Sequence, residues 1–89
     1  MLARVATFNS LPADVDREAV ALLQKTAKGA PGFVAGYHLG AKQGKALSIV
    51  IVEDADAARA VAQALAARAP DEHVGIDPDT VEFFEAEAF

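Results

Sequence analysis

Four polar side chains in this sequence could take part in acid–base chemistry or hydrogen-bond a ligand: Arg4, Asn9, Tyr37 and His38. Histidine both accepts and donates protons near neutral pH, so His38 is the candidate general base. Tyr37, Arg4 and Asn9 can donate hydrogen bonds to an oxygen atom of a substrate. Two of the residues fall on one predicted strand and two on another, so the fold decides whether they meet.

Each of these residues also has a structural interpretation. A lone histidine on an edge strand is more often a surface or interface residue than a base. The ring of Tyr37 could pack at a subunit seam with its hydroxyl in water, and Arg4 could pair with Glu82 or Glu85 across a sheet. Asn9 suits a turn that ends a strand. Both interpretations stay open at the level of sequence.

Composition excludes several other kinds of site. The 89 residues contain no cysteine, so the chain has no disulfide, thiolate metal site or cysteine nucleophile. His38 and His73 are too isolated from each other to suggest a zinc site. Neither Ser10 nor Ser48 lies in a nucleophile-elbow sequence, and the glycines form no dinucleotide fingerprint. We therefore expect no metal and no cofactor.

Charge and hydropathy narrow the range of partners. The net charge is −5 with eight scattered Lys and Arg residues, which argues against a nucleic-acid partner. No apolar segment approaches the length of a membrane span, and Arg4 interrupts the start of the chain where a signal peptide would be apolar. These features predict a cytoplasmic protein with no membrane partner.

A hairpin over residues 32–52 is the strongest structural signal. Its loop, 40–45, has glycines near both ends and lysines within, as exposed hairpin connections do. The strand that follows contains an unbroken β-branched run from Ile49 to Val52, which indicates a strand buried on both faces.

The remaining elements complete a recognisable order. Strands are predicted over 2–9 and 80–87, and helices over 14–28 and from Asp54 or Asp56 to about Ala67. The order strand, helix, strand, strand, helix, strand predicts an α+β, ferredoxin-like βαββαβ fold. This is a four-stranded antiparallel sheet with two helices on one face, and we expect residues 1–89 to form one such domain.

Both faces of this sheet carry large apolar side chains. Alternation places them in opposed sets: Leu47, Ile49 and Ile51 against Val50 and Val52, and Phe83 against Phe84. Helices can cover only one face, and a monomer rarely exposes a large apolar patch. The pattern predicts a homodimer that packs sheet against sheet.

Several short motifs carry a family resemblance, from Arg4 to Phe84. They are Pro31-Gly-Phe33, Gly36-Tyr-His-Leu39, Leu47-Ser48, and an acidic helix start at Asp54 followed by Ala57-Ala58. In these the chain resembles the antibiotic biosynthesis monooxygenase (ABM)-like, dimeric α/β-barrel superfamily. The resemblance implies a homodimer with a cleft between sheet and helices in each subunit. Characterised members include cofactor-independent oxygenases acting on polycyclic phenols and haem-degrading enzymes.

The resemblance implies a possible monooxygenase that acts on a small apolar aromatic substrate without a cofactor. Such a protein supplies a base, a hydrogen-bond donor and a dry pocket. His38 and Asn9 are then the candidate catalytic residues, and Arg4, Phe8 and Tyr37 the candidate substrate-binding residues. The alternative is a non-catalytic dimeric module that binds a small ligand or only assembles. An open cleft lined by His38, Tyr37 or Asn9 favours the enzyme.

Haem degradation is less well matched. That branch uses an asparagine near the end of the first strand and a histidine in the second helix, and members commonly place a tryptophan at the end of the third strand. Asn9 matches the first element. The predicted second helix has no histidine, the chain has no tryptophan, and Glu53 stands at the tryptophan position.

Overall fold

The computed structural model describes residues 1–10, 17–40, 44–67 and 77–89. Its elements follow the predicted order: β1 (Leu2–Phe8), α1 (Arg17–Lys28), β2 (Phe33–Gly40), β3 (Ala46–Val52), α2 (Ala55–Ala66) and β4 (Thr80–Glu85). The ferredoxin-like βαββαβ fold is confirmed. The start of the first predicted helix, residues 14–16, lies outside the described residues, as do the centre of the hairpin loop and His73.

The four strands form one antiparallel sheet in the order β2-β3-β1-β4. β1 and β3 are central, and the glutamate-bearing β4 is an edge strand. The β-branched run of β3 explains its central position, because such side chains pack well on both faces of a buried strand. The central pair fixes which residues of β2 and β4 share each face.

α2 begins where an aspartate caps it. The Asp54 Oδ1 atom accepts a hydrogen bond from the Ala57 backbone N–H at 2.9 Å, so Asp54 is the N-cap that the sequence left undecided. Asp56 instead pairs with Arg59 on the exposed side of the helix. Neither helix in the described part of the chain combines the length and apolarity of a membrane span.

The core lies between the helices and one face of the sheet. It is built mainly from small residues and valines, of which Val52 and Val61 are fully buried: Ala27, Ala30, Val50, Val52, Ala57, Ala58 and Val61. Gly32 shows how tight this packing is, because a Cβ built there would lie 2.4 Å from the Cβ of Ala57. Gly32 also has a φ of +84°, which favours glycine. The small side chains thus let the chain pass directly against α2.

The other face of the sheet, which we call the outer face, has no helix on it. Its three register rows are Ala35–Ile51–Ala3–Phe84, Tyr37–Ile49–Val5–Glu82 and Leu39–Leu47–Thr7–Thr80. Tyr37, Leu39 and Phe84 are 59%, 49% and 51% exposed in the single chain. The prediction that large apolar residues occupy both faces of the sheet is confirmed.

Candidate functional site

A cavity of about 440 Å³ lies between α1 and the helix-facing side of the sheet. It is the cleft that the family resemblance implies, and it is open rather than filled. Its described lining is mostly apolar: Ala6, Phe8, Val20, Leu23, Ala27, Phe33, Gly36, Ile49, Val50, Leu65 and Pro78, with Arg4, Gln24, Lys28, Tyr37, His38 and Ser48 as the polar members.

Small side chains in the sheet account for this open volume. On the helix-facing side, the register aligns the rows Gly36–Val50–Arg4, His38–Ser48–Ala6 and Gly40–Ala46–Phe8. Each row contains glycine, alanine or serine, and these small side chains fill little of the space between the sheet and α1. The Phe33 ring lies over Gly36, where an added Cβ would come within 3.4 Å of it. Aromatic rings therefore wall a cavity whose floor is made of small residues.

His38 is the imidazole in the described lining of the cavity. It lies on β2 directly opposite Ser48 of β3, in the same row as the buried Ala6. Directly opposed residues have Cβ atoms about 4.5–5.5 Å apart, so the serine hydroxyl and the imidazole are neighbours. Because β2 is an edge strand, His38 remains accessible to solvent. A base placed this way can exchange protons with both a ligand and water.

Arg4 and Phe8 line the same cavity from β1. Arg4 is half-buried and its Nε atom is shielded from solvent, whereas Phe8 is buried. In the register, Arg4 lies opposite Phe83 of β4. Of the two glutamates considered as partners for Arg4, alternation places Glu85 on the face of Arg4 and Glu82 on the outer face. Phe8 and Arg4 lie on opposite sides of the His38 row.

The other two candidates lie elsewhere. Tyr37 borders the cavity along β2, but it pairs with Ile49, so its ring lies on the outer face. Asn9 follows the end of β1 and is not among the described lining residues. Its backbone N–H donates to Asp79 Oδ2 at 2.7 Å, and the Asp79 N–H donates to the Thr7 carbonyl at 2.8 Å. This geometry matches a strand-ending turn, and a catalytic role for Asn9 stays a prediction.

Sequence reasoning missed three polar residues of the cavity: Ser48, Gln24 and Lys28. Ser48 is the polar interruption in the apolar run of β3. Gln24 and Lys28 are one helical turn apart on α1, at the spacing that places residues on one face of a helix. That face also carries Val20, Leu23 and Ala27. The sequence signal that could have identified Gln24 and Lys28 is therefore a polar pair within the apolar stripe of α1.

The described residues include no group of three or more His, Cys, Asp or Glu side chains placed to hold a metal ion. The two histidines lie far apart in sequence, and one of them falls outside the described ranges.

Comparison with known proteins identifies the fold. No family model matches the sequence, and no curated protein matches it. Among solved structures, the chain is similar to a point mutant of MhuD with two manganese protoporphyrin IX molecules bound per active site. The TM-score is 0.63 at 19% identity, over 99% of this chain and 94% of that one.

The chain is also similar to SnoaB, a cofactor-independent oxygenase from Streptomyces nogalater. The TM-score is 0.60 at 23% identity, over 99% of this chain and 91% of that one. The two solved structures therefore share the ferredoxin-like fold of this chain. At these identities the fold alone is shared, and an activity has to be argued from the cavity.

Proposed function

We propose that this protein is a homodimeric, cofactor-independent monooxygenase that acts on a small apolar aromatic substrate. The single observation that carries the proposal is the open cavity with His38 on its floor. Its volume of about 440 Å³ falls within the range of about 300–1,000 Å³ that small-molecule sites occupy. The similarity to SnoaB, a cofactor-independent oxygenase, supports the reaction class.

The proposed reaction needs one base and a water-poor pocket. His38 accepts the proton of a phenolic hydroxyl, which makes the ring electron-rich enough to react with O₂. One oxygen atom becomes the new carbonyl of a quinone, and the other leaves as water with two substrate hydrogens. The substrate supplies all four electrons that O₂ accepts, so no external reductant takes part.

The apolar side chains that surround the cavity bind and position the substrate. Phe8 and Phe33 supply aromatic surface, and Leu23 of α1 and Leu65 of α2 close the cavity from the helix side. Such walls hold an aromatic ring by apolar contact and keep water away from the carbanion-like intermediate. Ser48 lies opposite His38 in the register, and we expect its hydroxyl to help orient the imidazole when a substrate is bound.

A second copy of the chain is the proposed partner of the outer face. The three exposed apolar side chains of that face lie beside the half-buried Leu47, Ile49, Ile51 and Val5. A sheet face of this kind is self-complementary about a two-fold axis, and packing sheet on sheet buries it at a spacing of about 10 Å. The dimer then leaves each helix-side cavity open.

Haem is a weaker candidate ligand, although the MhuD structure contains porphyrin. A haem iron needs an axial donor such as histidine. α2 has no histidine, and the α2 residue that lines the cavity is Leu65, which cannot ligate iron. His38 lies across the cavity on β2, so a haem site built on α2 does not fit these residues.

A non-catalytic binding module is the second candidate. It is favoured by one observation: Asn9 is not among the described lining residues, and Tyr37 borders the cavity with its ring on the outer face. Of the predicted catalytic residues, His38 alone is in the described lining. Such a cavity could hold an aromatic ligand without transforming it. Binding and turnover therefore have to be measured separately.

Oxygen consumption with a panel of dihydroxynaphthalenes and anthrones tests the proposal. We expect uptake by the native protein, one labelled oxygen atom per product under isotopic O₂, and a loss of about 100-fold or more in His38→Ala. Tyr37→Phe is the matched control, because it changes the adjacent residue on the opposite face. Equal rates for native protein and His38→Ala remove His38 as the base. Tight binding without uptake supports the binding module.

A further inference from the structure

The charged residues that line the cavity are unlike those of the chain as a whole. The chain has 13 acidic and 8 basic residues. Among the described residues of the cavity lining, Arg4 and Lys28 are basic and none is acidic. If the charged residues of the lining followed the composition of the whole chain, carboxylates would outnumber cations there. The described part of the lining therefore carries basic charged side chains only, whereas the chain as a whole is acidic.

The two basic residues belong to the same end of the cavity. Arg4 pairs with Val50 in the sheet, and Val50 packs in the same core cluster as Ala27. Lys28 follows Ala27 as the last residue of α1. Phe8 lies at the other end, two residues beyond the row of His38, Ser48 and Ala6. In the described lining, the two basic side chains thus lie at one end, where the Phe33 ring covers Gly36, and Phe8 lies at the other.

Resting on the proposed function, we infer that the substrate carries an anionic group, such as a carboxylate, besides the hydroxyl that His38 deprotonates. The anionic group lies at the Lys28 end, and the ring extends past His38 towards Phe8. Arg4 already has an interaction partner within the protein, so the charge that meets the ligand is assigned to Lys28. Lysine suits this role because its ammonium group is a mobile point charge at an exposed helix end.

Lys28 also stabilises the C-terminus of α1 through the helix dipole, and this second role needs a control. Lys25 provides it. It lies in the same last turn of α1 and has the same charge, but it lines the groove on the other side of the helix, with Leu22, Gly29 and Ala60. Replacing either lysine by glutamine changes the net charge and the dipole interaction alike. Only the change at Lys28 alters the cavity.

The test compares two probes of the same shape, 2-naphthoate and neutral 2-naphthamide, by titration calorimetry. We expect native protein to bind naphthoate about three- to fivefold more tightly, as for a partly exposed charge pair. Lys28→Gln should lose this preference and keep its affinity for naphthamide. Lys25→Gln should keep the preference.

The possible outcomes separate this inference from the proposed function. Equal binding of the two probes by native protein, or tighter binding of naphthamide, overturns the inference and leaves an aromatic-binding cavity in place. An equal loss of preference in Lys25→Gln and Lys28→Gln also overturns it, because overall charge then explains the effect. If native protein binds neither probe, the proposed function and the inference are overturned together.

Discussion

The two faces of one sheet in this protein are built from alternate residues of the same strands, yet they present opposite surfaces. The helix-facing side has small residues at its centre, such as Ala6 and Ser48, under a cavity. The outer face carries Ile49 and Ile51 at the equivalent positions of β3, with no helix above them. One sheet therefore separates an open cavity from an apolar face on which neither described helix packs.

The largest effect is expected from breaking the outer face. Because the proposed dimer is symmetric, Phe84→Glu places two carboxylates in its interface, one from each subunit. Burying an unpaired charge costs several kcal/mol. We therefore expect the dimer to dissociate in sedimentation or light-scattering measurements. Phe83→Glu is a matched control, because Phe83 and Phe84 are adjacent, equally exposed at 51%, and on opposite faces. Dissociation in both variants, or in neither, contradicts the assignment of the outer face.

Substitution of Gly32, which packs tightly against α2, should have nearly as large an effect. Gly32→Ala forces a Cβ against Ala57 at a positive φ, and we expect a loss of about 2–4 kcal/mol in the free energy of unfolding. Gly40→Ala is the control, since nothing lies within 4 Å of a Cβ there. Urea unfolding measures both. Equal stability of the two variants would show that the chain does not pass this close to α2.

Filling the cavity should weaken ligand binding while changing the free energy of unfolding very little. Ser48→Leu puts a larger apolar side chain on the cavity floor, and we expect naphthoate affinity to fall about tenfold or more. Unfolding should change by less than about 1 kcal/mol, because an open space accommodates the added methyl groups. The neighbouring change Leu47→Ile, on the outer face, should leave naphthoate binding intact. Unchanged binding in Ser48→Leu would place the ligand outside this cavity.

The smallest effect is expected at the start of α2. Asp54→Ala removes the side chain that accepts a hydrogen bond from the Ala57 N–H, at a cost of about 1 kcal/mol. Asp56→Ala removes the exposed pair with Arg59 and should cost less than about 0.5 kcal/mol. Thermal or urea unfolding distinguishes them. The reverse order would identify Asp56 as the functional cap.

Much of the fold was predictable because it depends on local patterns. The β-branched run from Ile49 to Val52 predicted a strand buried on both faces, and β3 lies inside the sheet, between β2 and β1. Strand and helix ends differed by one or two residues, as at β4, which ends at Glu85 rather than residue 87. Ends are set by the last hydrogen bonds of a ladder, which composition does not encode.

The cavity was less predictable because it depends on register. Gly36, Ser48 and Ala6 are far apart in sequence, and their shared contribution to the cavity follows only once the strands are aligned. Alternation along β2 places Tyr37 and His38 on opposite faces, which agrees with the interpretation of Tyr37 as a subunit-seam residue, and a substrate-binding role for Tyr37 stays a prediction. Asn9 lies beyond its strand, where a turn directs it to Asp79.

Methyl NMR of the native protein tests the separation of the two faces most directly, with 2-naphthoate and a soluble paramagnetic agent added in turn. We predict that naphthoate shifts the Leu23, Leu65 and Val50 methyls of the cavity. The Leu47 and Ile51 methyls of the outer face should be shielded from the paramagnetic agent and unaffected by naphthoate. Broadening of the Leu47 and Ile51 signals by the agent, or naphthoate shifts confined to these two residues, would contradict the separation of the two faces.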